Sequence, residues 1–435
     1  MSLNKSIYEE ILIESRDGER TVDIAPGVVL LEYFEDIFSP TISARLVVVN
    51  TGNTIEGPDG DLQSIYHGLP LRGGERVSIK VAGNSEENPG LDFASDKERY
   101  FYVSSVTNID QTTEQESFIL NLFSREAITN ETVRVGRRYN TSFKISDSVK
   151  DIIKNYLKSP KQIFADDTQN KYGFIGNMRK PFTLMTWLAS KSVPAQVSGK
   201  DATAGYVFYE TKSGYHFRSI DALVTSEPFE HEYFYTQLKK MTADADYKIL
   251  DYKTNKNEDV LRKLQRGGYA SNRVFFNPLT FSYTKPSDGL FKLSDYQRKT
   301  ENLGKDITLP SIDDTSDKNL GDVPSRNVTA ILDIGTMEPG VSTEENADPS
   351  KTQSQAMMRY NTIFTQSVKM TVSSNTNLEA GDVIKCKFPK VTREGNKSED
   401  SEQSGLYMIK ELCHHFDSAA SYTSMTLIKD TYGER

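Results

Sequence analysis

Cysteine is nearly absent: 435 residues contain two, Cys386 and Cys413. Two thiols cannot build a disulfide framework, and a chain of this length can bury its own cores without one. Both are read as reduced thiols of a protein made in a cytoplasm. Histidine is scarce, at five, and tryptophan occurs once, at Trp187. Long apolar runs are missing too. The longest, Val28–Leu31 and Leu46–Val49, have strand length, far below the roughly 20 residues of a membrane span. The first ten residues carry charges where a signal peptide needs an apolar stretch. Charges of both signs are interspersed, 52 basic against 61 acidic for a net −9, so no broad attraction to nucleic acid or to an anionic membrane is expected. Neither Gly-x-Ser-x-Gly nor Gly-x-x-x-x-Gly-Lys-Ser/Thr occurs, which leaves catalysis by a triad or a P-loop unsupported.

What is present is a soluble globular composition, 37% hydrophobic and 10% aromatic, long enough for two to four domains. Residues 1 to 125 read as strands and turns. Ile42 to Val49, Val77 to Val81, Tyr100 to Val106 and Phe118 to Leu122 alternate as half-buried antiparallel strands do. One short helical insertion is expected near Asp61 to His67.

Helical spacing follows. Ser146 is a plausible N-cap for a stripe of Val149, Ile152, Ile153, Tyr156 and Leu157. A second helix is predicted from Pro181, with Leu184, Trp187 and Leu188 on one face. A third, near Asn257 to Arg266, should bury Val260, Leu261 and Leu264 and stop at Gly267-Gly268. Residues 296–350 are polar and read as a long connection ending in a helix capped by Ser350. Strands return from Ile363 to the end.

An internal repeat organises these segments. Ile13 to Gly18 and Tyr209 to Gly214 are each a strand running into a glycine turn. Glu32-Tyr33-Phe34 is matched by Glu232-Tyr233-Phe234, and Ala44 to Val49 by Val368 to Ser373. Leu71 to Val77 pairs with Leu378 to Val383, then Tyr102, Val103 and Val106 with Met408, Ile409 and Leu412, then Leu120 and Leu122 with Met425 and Leu427. The order is kept across six blocks. The fold class is therefore α+β and β-dominated: two homologous antiparallel tube-like barrels plus a mixed helical and strand insertion. The first barrel is assigned to 1–127, the mixed domain to 128–204 and 238–356, and the second, discontinuous barrel to 205–237 and 357–435.

The C-terminal segment Leu378 to Ile384 with Phe388-Pro389, Ser404 to Ile409 and Tyr422 to Gly433 resembles the closing strands of baseplate hub proteins of T-even-like contractile-tailed phages. These are relatives of the N-terminal hub part of type VI secretion spike proteins. Gly214 to Ser219 and Lys180-Pro181-Phe182 with Trp187-Leu188-Ala189 are similar to that family's middle section. The resemblance implies a non-enzymatic structural subunit of the virion, in the tail baseplate, assembled in the host cytoplasm. It implies a homotrimer whose six barrels form a pseudo-sixfold ring between a sixfold tail tube and a threefold central spike. Partners would be other copies of the chain, the spike, the tube or its initiator and other baseplate proteins. No membrane insertion is implied, and DNA would only pass through the lumen at genome ejection. Two alternatives stay open: a tail-associated peptidoglycan hydrolase, which needs only two carboxylates, and a monomeric tandem-barrel adaptor.

No catalytic, cofactor or metal residue is assigned. Cys413-His414-His415, with Cys386, contains zinc-binding residue types. In a strand, though, Cys413 and His415 share a side while His414 does not, and paired-ligand spacing is missing. A buried thiol at a strand end is the plainer reading. His67, His216 and His231 have no nucleophile motif around them. Arg134, Arg137 and Arg138 with Tyr139 form the densest basic cluster, read as a solvated or salt-bridged loop before a DNA contact. Trp187 and the stripes Ile152/Tyr156 and Leu261/Leu264 are core or interface residues.

Overall fold

Alternation in the N-terminal third becomes a sheet with one face buried. In the computed structural model, all residues are described except 1–3, 51–54, 57–59, 87, 113–114, 196–202, 236–245, 257, 279, 284–288, 297–300, 316, 333–348, 391–398 and 435. Seven strands form the first barrel: β1 (Ile7–Glu14), β2 (Thr21–Asp23), β3 (Val28–Asp36), β4 (Ser43–Asn50), β5 (Arg76–Ala82), β6 (Phe101–Gln111) and β7 (Glu116–Ser124). They pair in the order β2-β1-β5-β6-β7-β4-β3. In β4, Ala44, Leu46 and Val48 are at most 3% exposed, while Ser43, Arg45, Val47 and Val49 lie half-buried on the opposite face. The inward residues meet Leu31, Tyr33, Phe93, Phe101 and Phe118 in one core. Each large apolar side chain buried there stabilises the fold by about 1.5–3 kcal/mol.

The middle of the chain is a separate small sheet backed by helices. Strand β8 (Ile163–Ala165) runs parallel to the second strand of a hairpin, β9 (Tyr206–Thr211) and β10 (Gly214–Ser219). Helices Ile145–Ile152 and Pro181–Ala189 pack on this sheet through Val149, Leu184, Leu188, Phe208 and Phe217. Pro181 opens its helix, as its missing N–H allows. The earlier helix starts one residue before Ser146, with Lys144 at the N-cap. Ser146 is fully buried and exchanges hydrogen bonds with Thr168, so it serves the core rather than the cap.

Downstream lie β11 (Glu232–Tyr235), β12 (Lys248–Lys256), β13 (Ala270–Asn277), β14 (Arg326–Ile331), β15 (Gln366–Ser373), β16 (Val383–Lys387), β17 (Gly405–Asp417) and β18 (Ser421–Lys429). Six of them close a ring, β17-β16-β11-β12-β15-β18 and back to β17. Inside are Tyr233, Val368, Met370, Leu412, Met425 and Leu427. The run β16-β17-β18-β15 has the same order as β5-β6-β7-β4, so four of the six sequence blocks occupy matching places in the two barrels.

The other two blocks do not. The hairpin of Tyr209 to Gly214 pairs with β8, outside the barrel ladder. Strand β11 runs parallel to both its neighbours, β12 and β16, whereas β3 is antiparallel to both of its own. The ring's place beside β15 is filled by β12, a mostly polar strand lying in the stretch assigned to the insertion. Among the described side chains of β12 only Ile249 is fully buried, so its sequence carries no clear alternation.

Two further differences have similar causes. The polar stretch 296–350 contains β14, parallel to β13; nearly all its residues are exposed and leave no period-two signal. Helix Val260–Arg266 is capped by the Asp259 side chain and ends on Gly267 at φ 69°, as expected, but Leu261 is 67% exposed. Lys263 is buried instead, its ammonium held by Thr365 at 2.6 Å and Glu258 at 2.7 Å. Among the described residues no helix is long and apolar enough to cross a membrane.

Candidate functional site

The two barrels share a seam. Strand β3 pairs with β4 on one side and with β17 on the other, from Asp36 opposite Glu411 to Leu30 opposite Asp417. A backbone ladder therefore runs unbroken from one barrel into the other, and each side chain at the seam has fixed neighbours.

The inner face of the seam is buried. His414 stacks on Tyr33, ring centroids 6.1 Å apart with planes 1° from parallel, and its Nδ1 sits 2.9 Å from Thr423 Oγ1. Burial, and then the charge of Lys212, pulls its pKa down to about 3, so the ring is neutral. Further along β3, Glu35 is fully buried at the same parity as Leu31 and Tyr33. It accepts the Tyr33 hydroxyl at 2.7 Å, the Lys212 N–H at 2.7 Å and the Ala380 N–H at 2.9 Å. One carboxyl thus fastens the first barrel to the middle hairpin and to a turn of the second barrel. Burial and the charge of Glu379 push its pKa up to about 8, against the pull of Lys212 and the Ala380 N–H. In that turn Gly381 holds φ at 98°, a conformation that a side chain resists.

A second fastening lies beside it. Glu210, fully buried in β9, accepts from Ser124 Oγ at 2.8 Å, from the Ile42 N–H at 3.2 Å and from Lys161 at 2.6 Å. The Lys161 ammonium also meets Glu126 at 2.7 Å. Burial raises the Glu210 pKa, while at Glu126 burial is outweighed by the Lys161 charge together with the hydrogen bonds from Lys161 and Ser159, and the pKa falls. A cavity of about 170 Å³ opens here, lined by Phe93, Arg99, Lys161, Glu210 and Lys212 among others. Its cations are already engaged by the protein's own carboxylates and carbonyls.

The outer face of the seam differs in chemistry. Glu32 stands opposite His415 in register, and Cys413 lies two residues away on the same side of β17. One ligand atom from each falls within 4.8 Å of the other two. His415 Nδ1 is 3.1 Å from Glu32 Oε1, and Arg45 reaches Glu32 Oε2 at 3.2 Å. Tyr422 stacks on the imidazole at 4.4 Å.

The other sequence candidates are dispersed. Cys386 is buried in the second barrel's core, and both cysteines are free. His67 is near Gln111 on the surface, and His231 stacks on Tyr247 at 4.2 Å. His216 is sandwiched between Phe164 and Tyr209, each 4.8 Å away, with Nε2 at 2.9 Å from Thr211 Oγ1. Because Thr211 donates to Glu379 at 2.7 Å, Nε2 must carry the proton, and burial takes the His216 pKa down to about 4. Arg137 is paired with Asp151 at 3.0 Å, and Arg134 donates to the carbonyls of Glu131 and Val133, so the basic cluster is largely engaged within the chain. Trp187 is half-buried against Tyr172 and Phe174, with Arg179 over its ring at 5.2 Å.

The residues missed by sequence reasoning are the buried charges Glu35, Glu126, Asp221, Arg359 and Asp430. Glu35 did leave a signal, a carboxylate at the inward parity of an apolar strand.

No protein-family model and no curated protein matches the sequence. Solved structures do match. A tail protein from Neisseria meningitidis MC58 superposes with a TM-score of 0.54 at 9% identity, covering 97% of each chain. The 43 kDa tail protein of prophage MuSo2 from Shewanella oneidensis gives 0.51 at 10% identity, covering 97% of this chain and 100% of its own. The chain shares the fold of these two tail proteins along nearly its whole length.

Proposed function

We propose that this chain is a structural baseplate hub subunit of a contractile phage tail, working as a homotrimer. The observation that carries the reading is the fold it has in common, from end to end, with two tail proteins, one of them from a prophage. Two barrels with a common β-order, repeated in three chains, supply six similar lobes around a threefold axis, which is how a threefold object can meet a sixfold one. In this reading one face adjoins the tail tube and the other the central spike, with DNA passing through the ring. The first barrel comprises residues 1 to about 127. The second is built from strands β11, β12 and β15 to β18, and the segments between the two barrels form the mixed domain. The chain acts without catalysis, since its buried carboxylates are engaged in holding the domains together.

Light scattering on purified protein, alone and with a spike partner, tests this. A mass three times that of the chain and six-lobed rings in negative-stain images are expected. A stable monomer at micromolar concentration even with the spike present would overturn the hub reading and favour the monomeric adaptor.

A further inference from the structure

We propose that Glu32, Cys413 and His415 form a zinc site that staples the two barrels across their seam. The case begins with strand geometry. Residues two apart on a strand point the same way, so Cys413 and His415 present sulfur and imidazole to one face of β17. Glu32, the register partner of His415, brings a carboxylate to the same face from β3. Both strands are interior to the ladder, β17 between β3 and β18 and β3 between β4 and β17, so the ligands stand on braced backbone rather than on loops.

The distances suit a small ion. Zinc binds sulfur at about 2.3 Å and nitrogen or oxygen at about 2.0–2.2 Å, which sets tetrahedral ligand atoms roughly 3.3–3.8 Å apart. The three atoms here lie within 4.8 Å of one another, with the nitrogen and oxygen already at 3.1 Å, so modest side-chain rotations complete the site. Arg45 fixes one Glu32 oxygen at 3.2 Å and leaves the other for the ion, and Tyr422 fixes the imidazole plane. Such supporting contacts orient ligands in metal sites generally.

Donor chemistry selects the metal class. A thiolate with an imidazole disfavours calcium and magnesium, which take oxygen ligands, and favours zinc or a close analogue such as cobalt(II). A thiolate, a carboxylate and a neutral imidazole cancel the charge of a divalent ion, which suits a partly buried position. Glu32 and His415 side chains are 12% and 16% exposed, enough to admit a water as fourth ligand. Binding converts the Cys413 thiol to a thiolate and releases one proton to solvent.

The test is cobalt(II) titration of the reduced, chelator-treated full chain, followed by absorption spectroscopy and displacement with zinc. One equivalent per chain should develop a thiolate-to-cobalt charge-transfer band with visible bands of tetrahedral intensity. Cys413→Ser should abolish the charge-transfer band, Glu32→Gln should weaken binding at least tenfold, and Cys386→Ser should leave it intact. Zinc should raise the melting temperature of the native chain and not that of Cys413→Ser. A folded native chain with no saturable thiolate band, or a band that survives in Cys413→Ser, would overturn the proposal. Because the first of these outcomes needs no variant, misfolding of a variant does not shield it.

Discussion

Arg359 Nη1 stands 3.3 Å from Asp430 Oδ2, with both side chains only 1% exposed. The same guanidinium lies 2.7 Å from Asp221, also buried. Arg359 sits in helix Pro349–Thr362, Asp221 follows the middle hairpin and Asp430 follows β18, so one cation binds three segments far apart in sequence. Replacing it leaves two carboxylates uncompensated in the interior, and losing one partner of such a pair costs about 3–5 kcal/mol. Arg359→Met should therefore lower unfolding free energy by that amount or more, as measured by urea denaturation.

Glu35 should make stability fall as pH rises. Its pKa in the fold, about 8, lies above the ordinary carboxylate value, so between these limits the folded chain holds a proton that the unfolded chain has released. The stabilisation is complete below the unfolded pKa and is lost through pH 8, with a slope of up to about 1.4 kcal/mol per pH unit. Glu35→Gln should flatten the dependence of melting temperature on pH between 5 and 8.5. The variant should also be less stable than the native chain at pH 5, because an amide cannot accept from all three donors.

Exposure separates two neighbours on helix Val260–Arg266. Leu261 is 67% exposed and Lys263 is 3% exposed. Leu261→Ser should change stability by no more than about 0.5 kcal/mol. Lys263→Ala removes the charge partner of Glu258 and the bond to Thr365, and should cost about 2 kcal/mol or more. Thermal melts of the two variants check the contrast.

A hydrolase would betray itself on its substrate. The purified chain should produce no clearing of peptidoglycan above buffer, and single Glu or Asp substitutions should therefore change nothing in that assay. Reproducible lysis that one carboxylate substitution abolishes would replace the structural reading with an enzymatic one.

How much of this was legible beforehand depends on where each signal lives. Strands β4, β5, β7 and β18 declare themselves because alternate residues face a core, and that alternation is written in the chain. The Pro181 and Gly267 helix boundaries are legible because they follow from backbone constraints local to a few residues. Strands β12 and β14 were hidden because they bury almost nothing and are held by backbone hydrogen bonds that any sequence can make. Leu261 misled because helical spacing does not say which face a neighbour covers.

The sequence by itself determined a β-rich chain with a repeated order of blocks, since periodicity and turn chemistry act over short distances. Only the tertiary structure decided which strands close the second ring, because strands β11 and β12 find partners more than a hundred residues away. It also decided that Glu32 meets His415: their strands are far apart in sequence, and register alone sets the carboxylate beside the imidazole and the thiol.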